Sequence, residues 1–116
     1  MEAEELVKLL KLRKFPVQDE KETQIHIERT LVEHHVPFRR EWKIGERDIP
    51  DFFVGGGVVV EVKIKGRPID ILQQCTRYCQ YDAAKALILI TNKLMGFPPE
   101  INGKPCYVIN MGKAWL

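Results

Sequence analysis

The segment from Ile49 to Lys65 constrains this chain more than any other. It runs Ile49-Pro50-Asp51-Phe52-Phe53-Val54, then Gly55-Gly56-Gly57, then Val58-Val59-Val60-Glu61-Val62-Lys63-Ile64-Lys65. Two β-rich apolar runs joined by three glycines predict a tight hairpin. Strand periodicity puts Glu61 and Lys63 on one face and Val60, Val62 and Ile64 on the other. The hairpin brings Asp51, near the start of the first run, alongside Glu61. A carboxylate buried without a partner is costly, so acids inside apolar strands need a purpose. Two converging carboxylates and a lysine supply what a hard divalent cation and an activated water require. The plainer alternative makes Asp51 an ordinary strand-start residue after proline and Glu61 an exposed acid. Val58, Val59 and Val60 argue against the latter, because both strand faces begin apolar.

A chain of 116 residues with 45% hydrophobic content has room for one soluble domain with one core, so residues 1–116 read as a single unit. The net charge of +2 is too small to argue for nucleic acid by itself. Its distribution is more informative. Lys8, Lys11, Arg13 and Lys14 crowd the N-terminus, and Arg39, Arg40, Lys43 and Arg47 crowd the stretch before Asp51. Cys75, Cys79 and Cys106 lack metal-site spacing and read as reduced, buried thiols of an intracellular, cytoplasmic protein. Charge from Glu2 onward argues against a signal peptide, and no apolar run approaches a membrane span. His26, His34 and His35 form no metal-binding spacing. No Lys-Ser/Thr or helix follows the three glycines, so they form a turn rather than a phosphate loop, and no organic cofactor is expected.

Patterning orders the elements. Apolar residues from Leu6 to Leu12 predict a helix over 2–13 that ends near Phe15-Pro16. Asp19 is a candidate N-cap for a second helix to about His35, with Ile25, Ile27, Leu31 and Val32 as its buried stripe and Pro37 as its stop. Phe38 to Ile44 reads as a first strand, and the hairpin gives the second and third. Asp70 is a candidate cap for a helix through Tyr81. Ala86 to Thr91 is a continuous apolar run, as expected of a buried parallel strand. Lys93 to Lys104 reads as a loop and Cys106 to Asn110 as a last strand. The result is an α/β chain with an αβββαβ core over about 19–92. Its mixed central sheet is flanked by helices, with a right-handed crossover, and helix 2–13 and strand 106–110 are additions.

Pro50-Asp51 followed by Glu61-Val62-Lys63 resembles the PD-(D/E)XK nuclease superfamily. Gln74-Cys75-Thr76-Arg77-Tyr78 is similar to the Q-h-x-x-Y element of its RecB-like branch. The resemblance spans Gln24 to Asn92 and implies a restriction-endonuclease-like fold. It also implies a role for each matching residue. Asp51 and Glu61 would bind Mg²⁺ or Mn²⁺, with the carbonyl of Val62 as a third oxygen. Lys63 would serve the attacking water, and Gln74 and Tyr78 would flank the site. Relatives add a polar residue from the second helix. Glu20, Glu22, Gln24 and Glu28 are all available here, with Gln24 favoured by its distance upstream and Glu28 by helical phase. Glu41 is a further acid in the first strand. Arg39, Arg40, Lys65 and Arg77 are candidate DNA phosphate contacts.

The expected function is a metal-dependent deoxyribonuclease, a small endonuclease whose specificity would lie in DNA structure. It would act as a homodimer, as archaeal Holliday-junction resolvases do. The alternative is a non-catalytic nucleic-acid-binding or assembly module that kept the fold.

Overall fold

The computed structural model describes residues 1–13 and 19–111. Among them, three helices and six strands form in the order α1 (Ala3–Lys11), α2 (Glu20–Glu33), β1 (Phe38–Arg40), β2 (Phe52–Val54), β3 (Val58–Lys63), α3 (Pro68–Tyr78), β4 (Ala86–Thr91), β5 (Glu100–Ile101) and β6 (Lys104–Asn110). The strands lie side by side as β1-β2-β3-β4-β6-β5. β1, β2 and β3 pair antiparallel, and β3, β4 and β6 pair parallel, so the sheet is mixed. The chain is therefore α/β, and helix α3 connects the central parallel pair.

Strand parity divides the core in two. Even residues Val58, Val60, Val62 and Ile64 pack with Ala86, Ile88 and Ile90 against Leu6 and Leu10 of α1 and Ile27 and Leu31 of α2. Odd residues Val59, Leu87 and Leu89 pack against Ile71, Cys75 and Tyr78 of α3. Helices thus cover both faces, and β4 is buried along its whole length, as its unbroken apolar run predicts. Among the described residues no helix is long and apolar enough to cross a membrane.

Helix α2 starts where expected, because the Asp19 side chain accepts the Lys21 N–H at 2.9 Å. Its buried stripe differs from expectation. Ile27 and Leu31 are buried with Thr23 and Thr30, whereas Ile25 and Val32 are exposed. The difference is one of helical phase: four residues separate Ile27 from Leu31, while Ile25 and Val32 fall on the outer side of that stripe. Asp70 does not cap α3. Arg67 holds the N-cap position with Pro68 at the first turn, and Asp70 lies inside that turn, clasped by Arg67 at 2.8 and 3.1 Å. The expected end of α1 at Phe15-Pro16, like Lys14, lies outside the described residues.

Two further differences sit in the loops. β1 stops at Arg40 instead of reaching Ile44, because Glu41 takes a left-handed conformation (φ 48°) that turns the chain off the strand. The stretch expected to be loop before β6 contains β5, joined to β6 by Asn102-Gly103 with φ of 53° and 78°. Asn-Gly is a strong hairpin signal, and here the prolines around it obscure it.

Gly57 fixes the start of β3. Its carbonyl accepts the N–H groups of Lys85 at 2.7 Å and Ala86 at 3.4 Å, its φ is +145°, and an added Cβ would sit 2.7 Å from the Ala83 carbonyl. Gly57→Ala should therefore lower stability by about 1–3 kcal/mol. Gly56→Ala, which would meet nothing within 4 Å, should change it by less than about 0.5 kcal/mol. Urea unfolding of the two variants makes the comparison.

Candidate active site

The ladder between β2 and β3 ends at Phe52 opposite Val60. One step further on, side chains replace backbone in the pairing. The Asp51 N–H donates to Glu61 Oε1 at 3.0 Å, and Asp51 Oδ2 accepts the Val62 N–H at 2.8 Å. The two acids therefore tie β2 to β3 reciprocally where the strands part. Pro50, just before Asp51, has no N–H to continue the ladder.

Glu61 is almost completely buried, and its second oxygen, Oε2, accepts the Tyr78 hydroxyl at 3.2 Å and lies 3.5 Å from Lys63 Nζ. Tyr78 in turn accepts a hydrogen bond from Gln74 Nε2 at 2.9 Å, one helical turn earlier on α3. Asp51, Glu61, Lys63, Gln74 and Tyr78 are thus gathered into one connected cluster. Lys63 keeps a quarter of its side chain exposed, so the cluster opens to solvent on the lysine side.

Burial sets the electrostatics. The Glu61 carboxyl is pushed up to about 7, first by burial and then by the Asp51 charge; the Asp51 N–H, Lys63 and Tyr78 oppose the rise. Asp51 is also raised by burial, against the opposing pull of the Val62 N–H and Lys63. The Tyr78 phenol is raised by burial and by Glu61, so it stays a protonated donor. Two neighbouring carboxyls that resist ionisation in a buried site are an environment that a cation would relieve.

Among the described residues no group of three or more His, Cys, Asp or Glu side chains is set to hold a metal. The available donors are two carboxylates and one backbone oxygen. The N–H and C=O of one strand residue point to the same neighbour. Because the Val62 N–H meets Asp51, its carbonyl also faces the gap beyond the end of β2. Mg²⁺ keeps several waters and needs only one or two carboxylates, so this donor set fits it.

The candidates on α2 separate into two groups. Glu20 reaches the end of β3, where its Oε1 accepts the N–H groups of Ile64 at 2.9 Å and Lys65 at 3.3 Å, and its charge adds to the rise at Asp51. Gln24 and Glu28 instead hold Arg40, at 2.8 and 3.5 Å, and Glu22 is exposed. Glu41 is exposed as well, at the turn after β1. Arg40 also donates to the Asp51 carbonyl at 3.3 Å and lies 4.6 Å over the Phe52 ring. Its guanidinium therefore has internal partners and braces the acid-bearing strand. Arg77 pairs with Asp48 at 3.1 Å but stays half exposed, while Arg39 and Lys65 are exposed.

Sequence reasoning missed Asp48. It is buried, accepts Arg77 Nε and the Tyr81 hydroxyl at 3.1 and 2.7 Å, and its carbonyl accepts the N–H groups of Ile44 and Gly45. This one residue closes the loop on itself and pins it to the end of α3, three residues before Asp51. A Cβ on Gly45 would collide with the Tyr81 phenol, so a larger residue there would displace the ring that holds Asp48. The partners of Asp48 are about thirty residues away in sequence, so no local pattern marks it. Comparison with family models, curated proteins and solved structures gave no significant match for this chain.

In metal-free protein, Glu61 should make stability depend on pH. From about 4.5, where an unperturbed glutamate ionises, to about 7, the folded protein keeps a proton that the unfolded chain releases. Stability should therefore fall as pH rises through that window, by about 3 kcal/mol at most. Glu61→Gln should flatten this limb. Urea unfolding in chelator at pH 5 and pH 8 reads the difference between the two proteins.

Proposed function

We propose that the protein is a metal-dependent deoxyribonuclease with a restriction-endonuclease-like core. The observation that supports this best is the Asp51–Glu61 pair at the frayed end of a buried strand, with Lys63 Nζ 3.5 Å from Glu61. The element order from α2 to β4 is αβββαβ, the order that the motif resemblance implies. Asp51, Glu61 and the Val62 carbonyl would hold Mg²⁺ or Mn²⁺. The ion, when bound, supplies Lewis-acid polarisation of a phosphodiester and lowers the pKa of nearby water.

The protein's own residues supply the rest. Lys63 is partly exposed at the open side of the cluster, so it would meet the incoming water and the scissile phosphate. Its ammonium holds the water and offsets charge on the phosphate as the oxygen attacks phosphorus, and the water's proton leaves to solvent. The bond from phosphorus to the leaving oxygen breaks, and that oxygen is protonated from solvent. Tyr78, supported by Gln74, fixes the Glu61 carboxylate through its hydroxyl. Glu20 braces the β3 terminus beside Lys65, and Arg40 braces Asp51 through its carbonyl. Arg39, Lys65 and Arg77 offer charge for DNA phosphates. A homodimer belongs to the same proposal, because so small a basic surface neutralises few phosphates per copy.

Incubating the protein with supercoiled, linear, single-stranded and branched DNA in Mg²⁺, Mn²⁺ or EDTA tests the reading. Cleavage should need the metal. Lys63→Ala and Glu61→Ala should each reduce the rate at least about 100-fold while circular dichroism and the melting profile stay those of a folded protein. Metal-independent cleavage, or wild-type rates in the Glu61 variant, would overturn it. DNA binding with no cleavage of any form would favour the non-catalytic module.

A further inference from the structure

Beside the acid cluster lies an aromatic surface that the proposed hydrolysis does not use. On β2, Phe53 points to the α3 side of the sheet, the side on which Glu61 meets Tyr78. The Trp42 ring packs against Phe53 at a 42° tilt with ring centroids 4.3 Å apart, and the Arg39 guanidinium lies 5.7 Å over the indole. Arg39 is directly opposite Phe53 in the strand register, so the three side chains form one patch. Phe53 is two residues from Asp51, about 7 Å along the strand.

The local backbone is bent to make this patch. Glu41 adopts φ 48°, a conformation that costs a non-glycine residue on the order of 1 kcal/mol, and the turn brings Trp42 back over β2. Trp42 is only half-buried, and Arg39 is exposed with no carboxylate paired to it among the described residues. Charge agrees with shape. Residues 39–47 contain Arg39, Arg40, Lys43 and Arg47 against Glu41 and Glu46, four positive and two negative, which equals the net charge of +2 of the entire chain.

We propose that Arg39, Trp42 and Phe53 form a stacking platform for an unpaired base of single-stranded DNA. The indole presents an aromatic face to the base, and the guanidinium takes the adjoining phosphate. A base in a duplex has both faces covered by its neighbours, so the platform selects single-stranded or frayed DNA. This deepens the nuclease reading by naming the form of DNA delivered to Asp51 and Glu61. It rests on that reading for the cleavage step alone; binding stands without it.

Binding and cleavage can be measured apart. In EDTA, where no metal-dependent cleavage proceeds, a Trp115→Phe protein keeps Trp42 as its single tryptophan. Oligothymidylate should quench its emission, and a duplex of equal length should not. Trp42→Ala should weaken single-strand binding about tenfold or more and duplex binding less than twofold. Because Trp42 is half-buried, Arg39→Ala serves as the second variant: it should weaken single-strand binding and make it less sensitive to salt. Absence of quenching, equal losses for both DNA forms, or a change in sedimentation of DNA-free Trp42→Ala, which would mark a self-association surface, overturns the platform. Quenching without cleavage in Mg²⁺ keeps the platform and removes the nuclease.

Discussion

The exchange of hydrogen bonds between Asp51 and the Glu61–Val62 segment holds the acid-bearing end of the sheet together. The β2–β3 ladder has run out at that point, and the Asp51 N–H and carboxylate each take a partner on β3. The position of Glu61 under the Tyr78 hydroxyl, the reach of Lys63 and the bracing of the Asp51 carbonyl by Arg40 all depend on it. A buried acid is costly to ionise. Among the described residues no buried side-chain oxygen lacks a partner, so the cost appears as a raised pKa rather than as an orphaned group.

The two-sided core makes this arrangement possible. Even residues of β3 belong to the α1 and α2 side, and they are all apolar. The odd residues face α3, and there Val59 gives way to Glu61 and then Lys63 as the strand leaves the core. Polarity thus rises along one face of one strand without disturbing the other. Gln74 and Tyr78 meet this gradient because they share a face of α3 one turn apart.

The hairpin, the parity of β3 and the burial of β4 were legible because each rests on a period of two within a short run. Helix α2 was legible from its Asp19 cap, whereas α3 was legible only in outline: it starts at Pro68 rather than at an Asp70 cap and ends at Tyr78 rather than Tyr81. What the sequence hid depends on contacts between distant segments. Asp48 finds Arg77 and Tyr81 only after α3 has folded over the loop. Ile25 and Val32 read as core until the true helical phase leaves them outside. Gln24 and Glu28 were read for the acid cluster, and Arg40, placed by the β1–β2 register, occupies both. No local pattern foretells that Glu41 turns left-handed and so brings Trp42 against Phe53.

The Asp51 side chain has two duties, and they cannot be cut apart by truncation. Alanine there would strand the Val62 amide in a buried gap, an orphaned donor worth roughly 1–3 kcal/mol. Any loss of function in such a variant would mix chemistry with local fraying of the sheet. Lys63 has no such entanglement, since no backbone group leans on its ammonium among the described residues. Of the clustered charges, it is the lysine whose removal most cleanly separates what the site does from what holds it in shape.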